Sequence, residues 1–296
     1  MNRQTIILDF DQSVGTIENA ISINLTDWQA AVRFGCSNKI FHQLATRLQH
    51  DLPLSYGTAM LGSGDYHHIS LLLIERLQSC YNAKNPIEVV IFDNHPDNMR
   101  YLFGIHCGSW VSYVAKLAFV SHVHVLGITS HDIAFSHAWE NRLTPLIKNK
   151  LTYWSMDVDT RWANKLGLGR AFKHFATPDD LISAFLTHQI NHSQPVYLSI
   201  DKDVLDKTTI QTNWDQGRLK TEHILTTIAG LSNRIIASDI TGDVSNWQHP
   251  SRFKRLLSFL DKQPTIPLNT LKQWQAQQHQ VNLQLLSALQ APCHFS

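Results

Sequence analysis

The chain has 296 residues, 43% hydrophobic and 17% charged, with a formal net charge of +1. This is the balance of a globular protein long enough for one large α/β domain, and the near-neutral charge with no basic run excludes a general binder of nucleic acid or anionic membrane. No window approaches the roughly 20 apolar residues of a membrane helix. The apolar run in MNRQTIILDFDQSV is too short, and too soon followed by acids, for a secretory signal. The expected compartment is the cytoplasm. The four cysteines, Cys36, Cys80, Cys107 and Cys293, form no CxxC pair and read as free thiols. Seventeen histidines are many for this length and favour a metal or proton-transfer site.

Short β-branched or apolar runs predict buried strands at Thr5–Leu8, Ile87–Phe92, Val123–Leu126, Val196–Ile200 and Ile235–Ala237. Helical periodicity lies between them, at His68–Ser79, Trp110–Val120, Asp180–Gln189, Thr221–Leu231 and Arg252–Leu260. Thr177-Pro178-Asp179-Asp180 is a helix start, with threonine as cap, proline at the first position and acids in the first turn. From about Asn269 to Gln290, an apolar stripe of Leu271, Trp274, Val281, Leu285 and Leu289 predicts a last helix, packed on the body or on a neighbouring subunit. Strands alternating with helices imply a mainly parallel sheet covered on both faces. With no linker, repeat or low-complexity tract, residues 1–296 read as one domain, in which residues 1–55 form an N-terminal subregion.

Two strands end in acids. Ile87–Phe92 is followed by Asp93-Asn94-His95-Pro96-Asp97, and Val196–Ile200 by Asp201-Lys202-Asp203. Ligands of parallel α/β sheets bind at this end of the strands. If the extended geometry continues, alternation points Asp93, His95 and Asp97 one way, and Asp201 with Asp203 likewise. Such crowding is costly unless a positive group sits between. A third element, Gly62-Ser63-Gly64-Asp65-Tyr66-His67-His68, is a tight turn before a helix that can bring a histidine, His67 or alternatively His68, to the same end. An isolated DxD usually caps a turn, but three such elements in order read as a metal site. Carboxylates with imidazoles and no thiolate suit Mn²⁺ ahead of Fe²⁺, Co²⁺ or Zn²⁺. Four carboxylates exceed what one divalent ion needs, so two ions about 3.5–4 Å apart are expected.

These three motifs, GSGDYHH, DNHPD and SIDKDVLD, resemble those of the ureohydrolase family, which includes arginase, agmatinase and formiminoglutamase. The resemblance spans roughly residues 56–245. It implies a three-layer α/β/α fold with a mainly parallel sheet of about eight strands. It also implies a pair of manganese ions, hydrolysis of a linear amidine, formimino or guanidine C–N bond, and a homo-oligomer. Carried over by position, Asp93 and Asp201 would bridge both ions, Asp97 and His67 would complete one, and His95 and Asp203 the other. His106, in His106-Cys107-Gly108, matches the family's proton-transferring histidine. Asp239 matches a family aspartate that would orient the site from behind. The family's guanidinium-binding glutamate is absent; Asp243 is the nearest carboxylate and the expected partner of a cationic substrate group. Lys207 replaces the proline after the third motif.

Three other readings stand beside this one. A metal-dependent deacetylase would hold one zinc with fewer carboxylates. A member that kept its metals but lost its chemistry would be a regulatory protein. Leu8-Asp9-Phe10-Asp11-Gln12-Ser13 also resembles a phosphatase nucleophile motif, against the plainer reading of a strand and turn.

Overall fold

The computed structural model describes residues 4–53, 55–247 and 266–290. Nine strands form one sheet: β1 (Ile6–Asp9), β2 (Ile21–Asn24), β4 (Thr58–Gly62), β5 (Ile87–Phe92), β7 (Val120–Ile128), β8 (Leu151–Met156), β9 (Phe172–Phe175), β10 (Val196–Asp201) and β11 (Ile235–Thr241). Their order is β2-β1-β4-β11-β10-β5-β7-β8-β9, and every pairing is parallel. Two short strands, β3 (Gly35–Cys36) and β6 (Ile105–His106), pair antiparallel beside it.

Alternation divides each strand between two cores. Ile87, Val89 and Ile91 of β5 face a core shared with Phe41, Leu44 and Leu48 of the Asn38–Asp51 helix and with Leu71–Ile74. Val90 and Phe92 face the other, with Leu181 and Phe185 of the Pro178–Gln189 helix and Ile224 and Ile228 of Thr221–Leu231. Both faces are therefore covered, which makes three layers and explains why β5 is apolar at five of its six positions. The Leu268–Gln290 helix adds Val281, Leu285, Leu286 and Leu289 to the second core, so its stripe packs on this chain's own body.

Some elements are shorter than their periodicity suggests. Only Val111–Val114 of the expected Trp110–Val120 helix is α-helical, because Val120 already begins β7. His68–Ser79 divides into a 3₁₀ turn (Gly64–Ile69), one α-helix (Ser70–Glu75) and a second 3₁₀ turn (Arg76–Ser79). The Arg252–Leu260 helix lies outside the described residues. No helix among the described residues is long and apolar enough to cross a membrane. Cys36, Cys80 and Cys107 are free thiols.

The Thr177 cap is made as its sequence suggests: its Oγ1 accepts from Asp180 N at 3.1 Å, and Pro178 opens the helix. Thr177→Ala should lower the free energy of unfolding by about 1 kcal/mol in urea titration, with an unchanged slope. An unshifted midpoint would show that the cap contributes nothing.

Candidate metal centre

The register of the central strands builds the site. Ile200 of β10 pairs with Phe92 of β5, so Asp201 and Asp93 emerge side by side at the carboxyl edge. Beyond the edge, tight turns replace the continued extension expected above. His95 N donates to Asp93 Oδ1 at 2.6 Å, and Asp203 N donates to Asp201 Oδ1 at 3.1 Å. Asp97 sits at φ +44°, a left-handed conformation that aspartate tolerates better than most residues. The second residue of each carboxylate pair thus returns to the cluster by folding back. Asn94 N donates to Asp203 Oδ1 at 3.0 Å and ties the two turns together.

His67 arrives from the 3₁₀ turn after β4. Its Nδ1 lies 3.1 Å from Asp93 Oδ2, 3.1 Å from Asp97 Oδ2 and 3.5 Å from Asp201 Oδ2, and all four side chains are buried. His68 is turned away, stacked on Phe41. Behind His67 a relay sets its tautomer. Tyr197 OH and Ser199 Oγ donate to Asp239 at 2.6 and 2.7 Å, so Ser199 Oγ accepts from His67 Nε2 at 2.9 Å. In the neutral ring this points the lone pair of Nδ1 into the carboxylates, as a metal-ligating imidazole requires. His95 is held in the same manner: its Nε2 faces Asp215 Oδ1 at 2.8 Å, while Nδ1 faces Asp203 Oδ2 at 2.9 Å and Asp93 Oδ1 at 3.6 Å.

Two groups of potential ligand atoms result, His67/Asp93/Asp201 and Asp93/His95/Asp203, each with all its atoms within 4.8 Å. Asp93 belongs to both. His67 Nδ1 and Asp93 Oδ2 are buried without a hydrogen-bond partner, at a spacing close to that of donor atoms sharing a cation at about 2.0–2.2 Å. The residues present therefore fit a pair of divalent cations.

The electrostatics agree. Burial and the neighbouring carboxylates push Asp97 and Asp203 up to about 7, and raise Asp201 well above the carboxylate range. Burial would depress His67 and His95, but the surrounding aspartates outweigh it and hold both well above the usual imidazole range. Asp93 is the exception: the imidazoles of His67 and His95 beside it overcome burial and keep it ionised. Without a metal the cluster is thus a store of protons in a space that cannot bear four negative charges.

His106 lines the same cavity, of about 330 Å³, together with Asp93, His95, Asp97, Asp201 and Asp203. Gly108 N donates to its Nδ1 at 3.1 Å, which leaves the neutral ring's proton on Nε2. Asp243 does not reach the cavity. It is buried behind the site, where Lys202 Nζ donates to its Oδ1 at 2.6 Å and Asn282 Nδ2 at 3.0 Å. A carboxylate already matched by a buried ammonium is not available to a substrate cation. The acids that do line the wall beyond the cluster are Asp132 and Glu140, and among the described residues no lysine or arginine joins them. Reading the sequence also missed Trp110, whose Nε1 donates to Asp97 Oδ2 at 2.7 Å, and the pairing of Asp215 with His95. Trp214 forms part of the cavity wall and is fixed by Asp65 Oδ1 at 3.1 Å; Arg33, itself buried, holds the other oxygen of Asp65. Asp9 and Asp11 are spent on the turn after β1, accepting from Gln12 N and Ser13 Oγ.

A nine-stranded parallel sheet between helical layers, with its acids at the carboxyl edge, is the arginase-like α/β fold. Among solved structures, arginase from Bacillus cereus aligns over 99% of both chains (TM-score 0.57, 13% identity). Formimidoylglutamase from Bacillus subtilis aligns over 97% of this chain and 86% of its own (0.54, 14%). Proclavaminate amidino hydrolase from Streptomyces clavuligerus aligns over 94% and 93% (0.51, 14%). At these identities the likeness defines the fold. No family model matches the chain. An uncharacterized protein of Thermotoga maritima is 27% identical over 197 residues, 66% of this chain and 62% of that relative. The match therefore spans less than two thirds of the relative's length.

Two outcomes are expected. Lys202→Met should destabilise by about 3–5 kcal/mol, because it strands the Asp243 charge; adding Asp243→Asn should restore much of this, read by urea unfolding. The metal-free protein should lose stability as pH rises. Asp97 and Asp203 are raised above their unfolded value of about 3.9, so their contribution is complete below that value and disappears through about 7. Melting temperatures at pH 5 and pH 8, with chelator, check the sign; greater stability at pH 8 would refute it.

Proposed function

We propose that this protein is a manganese-dependent hydrolase of a non-peptide C–N bond in a small linear amidine, formimino or guanidino compound. The observation that carries the reading is the pair of ligand groups joined through Asp93. His67, Asp93, Asp97 and Asp201 would hold one ion, and Asp93, Asp201, His95 and Asp203 the other. Four hard carboxylates favour Mn²⁺ over zinc. Bound there, the ions supply Lewis acidity and lower the pKa of water toward neutrality.

The chain's own groups do the rest. With metal bound, the Asp239–Ser199–His67 and Asp215–His95 relays would keep each imidazole proton on Nε2 and leave Nδ1 aimed inward. His106 holds a proton at Nε2 on the cavity wall and delivers it to the departing amine. Trp214, Met99 and Tyr101 enclose the reacting carbon in an apolar wall. Asp132 and Glu140 favour a substrate that is neutral or cationic at its far end.

Metal analysis tests the centre: about two ions per chain in the wild type, with loss in Asp201→Ala and in His95→Ala. One zinc retained in every variant would replace this reading with the deacetylase one. Mn²⁺-loaded protein should release urea or ammonia from guanidino and formimino compounds. His106→Asn should cut kcat by about 10²–10⁴ at unchanged metal content. Silence toward every such compound at full metal occupancy would assign the protein to binding or regulation.

A further inference from the structure

The opposite end of the same sheet holds a second cavity, of about 580 Å³, which the hydrolytic reading does not use. It opens at the amino ends of β5, β7 and β8, where Glu88, His122 and Thr152 lie, and is closed by the end of the Pro178–Gln189 helix. Imidazoles run through it in a chain. Ring centroids are 4.4 Å apart for His122 and His124, 5.5 Å for His124 and His188, and 4.8 Å for His188 and His192.

Among the described residues Glu88 is the only acid on this cavity's wall, and it is already matched: His192 Nδ1 lies 2.5 Å from Oε1 and Arg234 Nη2 3.0 Å from Oε2. Arg170 and Lys173 stand exposed on the wall with no ion pair to an acid among the described residues. Burial, offset only in part by Glu88, pushes His122 down to about 4, and burial with His192 lowers His188. Arg170 and Lys173 thus give this wall two cationic side chains that no acid among the described residues pairs.

We propose that this cavity is a second binding site, for a small dianion of the phosphate class, held by Arg170, Lys173 and His188. The guanidinium offers a planar fork that matches two phosphate oxygens, the ammonium a point charge, and the imidazole a further N–H. Buried Glu88, fixed by Arg234, presents its wall through His192 and not as a bare charge. A transition metal fits the cluster less well, because its nitrogens are spent on other partners. His122 Nε2 is on Thr152 Oγ1 at 2.9 Å, His124 Nδ1 accepts from Trp154 Nε1 at 3.3 Å, and His192 Nδ1 is on Glu88. Among the described residues, no three ligand atoms at this end lie within 4.8 Å of one another.

The test is titration of inorganic phosphate into the full-length, Mn²⁺-loaded protein by calorimetry, with Arg170→Ala/Lys173→Ala, His188→Gln and Asp203→Ala in parallel. All three basic positions are exposed, so these changes remove little packing. The site predicts a dissociation constant raised at least tenfold in the double variant, raised in His188→Gln, and unchanged in Asp203→Ala. Binding that survives both basic-site variants and vanishes with Asp203→Ala would place phosphate on the manganese centre and overturn the inference. So would an absence of binding to the wild type, or Zn²⁺ binding abolished by His188→Gln while phosphate binds nowhere.

Discussion

Asp93, Asp97, Asp201 and Asp203 are all buried, and three of them crowd a single imidazole nitrogen. Like charges in so dry a space repel strongly unless protons or cations lie between them. This repulsion is the constraint that the surrounding structure answers. The strand register that sets Asp93 against Asp201 creates the problem, and the folded-back turns at His95, Asp97 and Asp203 intensify it. Nothing in packing alone would favour such an arrangement; its stability is linked to whatever positive species occupies it.

The layer behind the cluster consists largely of polar groups that fix direction. Asp239 holds Ser199, which holds His67; Asp215 holds His95; Trp110 holds Asp97. Lys202 lies between two of the clustered aspartates in sequence, yet it turns away from them to meet Asp243 and Asn282 of the long Leu268–Gln290 helix. Gln278 of that helix also donates to the carbonyls of Gly242 and Gln211. The helix that covers the second core is therefore also a brace for the loop carrying Asp201 and Asp203.

Much of this was legible locally. β5 and β10 announce themselves as mostly apolar, β-branched runs, and the acids at the end of each strand are visible without any knowledge of its neighbours. What unites the motifs, the pairing of β10 with β5 across more than a hundred residues, leaves no local trace. For the same reason Asp243 reads as a free carboxylate until Lys202 is seen beside it. The Asn38–Asp51 helix carries Phe41, Leu44 and Leu48 at helical spacing, but polar residues around them dilute the signal. β4 is short and ends in glycine, and β9 has two exposed positions in four, so neither shows the pattern of a buried strand. The Trp214–Asp215 loop can be read from sequence as an entrance loop, but the pairing of Asp215 with His95 leaves no signal there until the histidine nitrogen is seen 2.8 Å away.

Because every strand of the sheet runs in one direction, its two edges are chemically different. The carboxyl edge gathers aspartates, and the amino edge gathers imidazoles, Arg170 and Lys173. Among the described residues, the walls at the two edges therefore carry opposite charge, with Asp132 and Glu140 beyond the cluster at one and Arg170 with Lys173 at the other. A cation drifting in is drawn to one pole and an anion to the other, before either meets a specific contact.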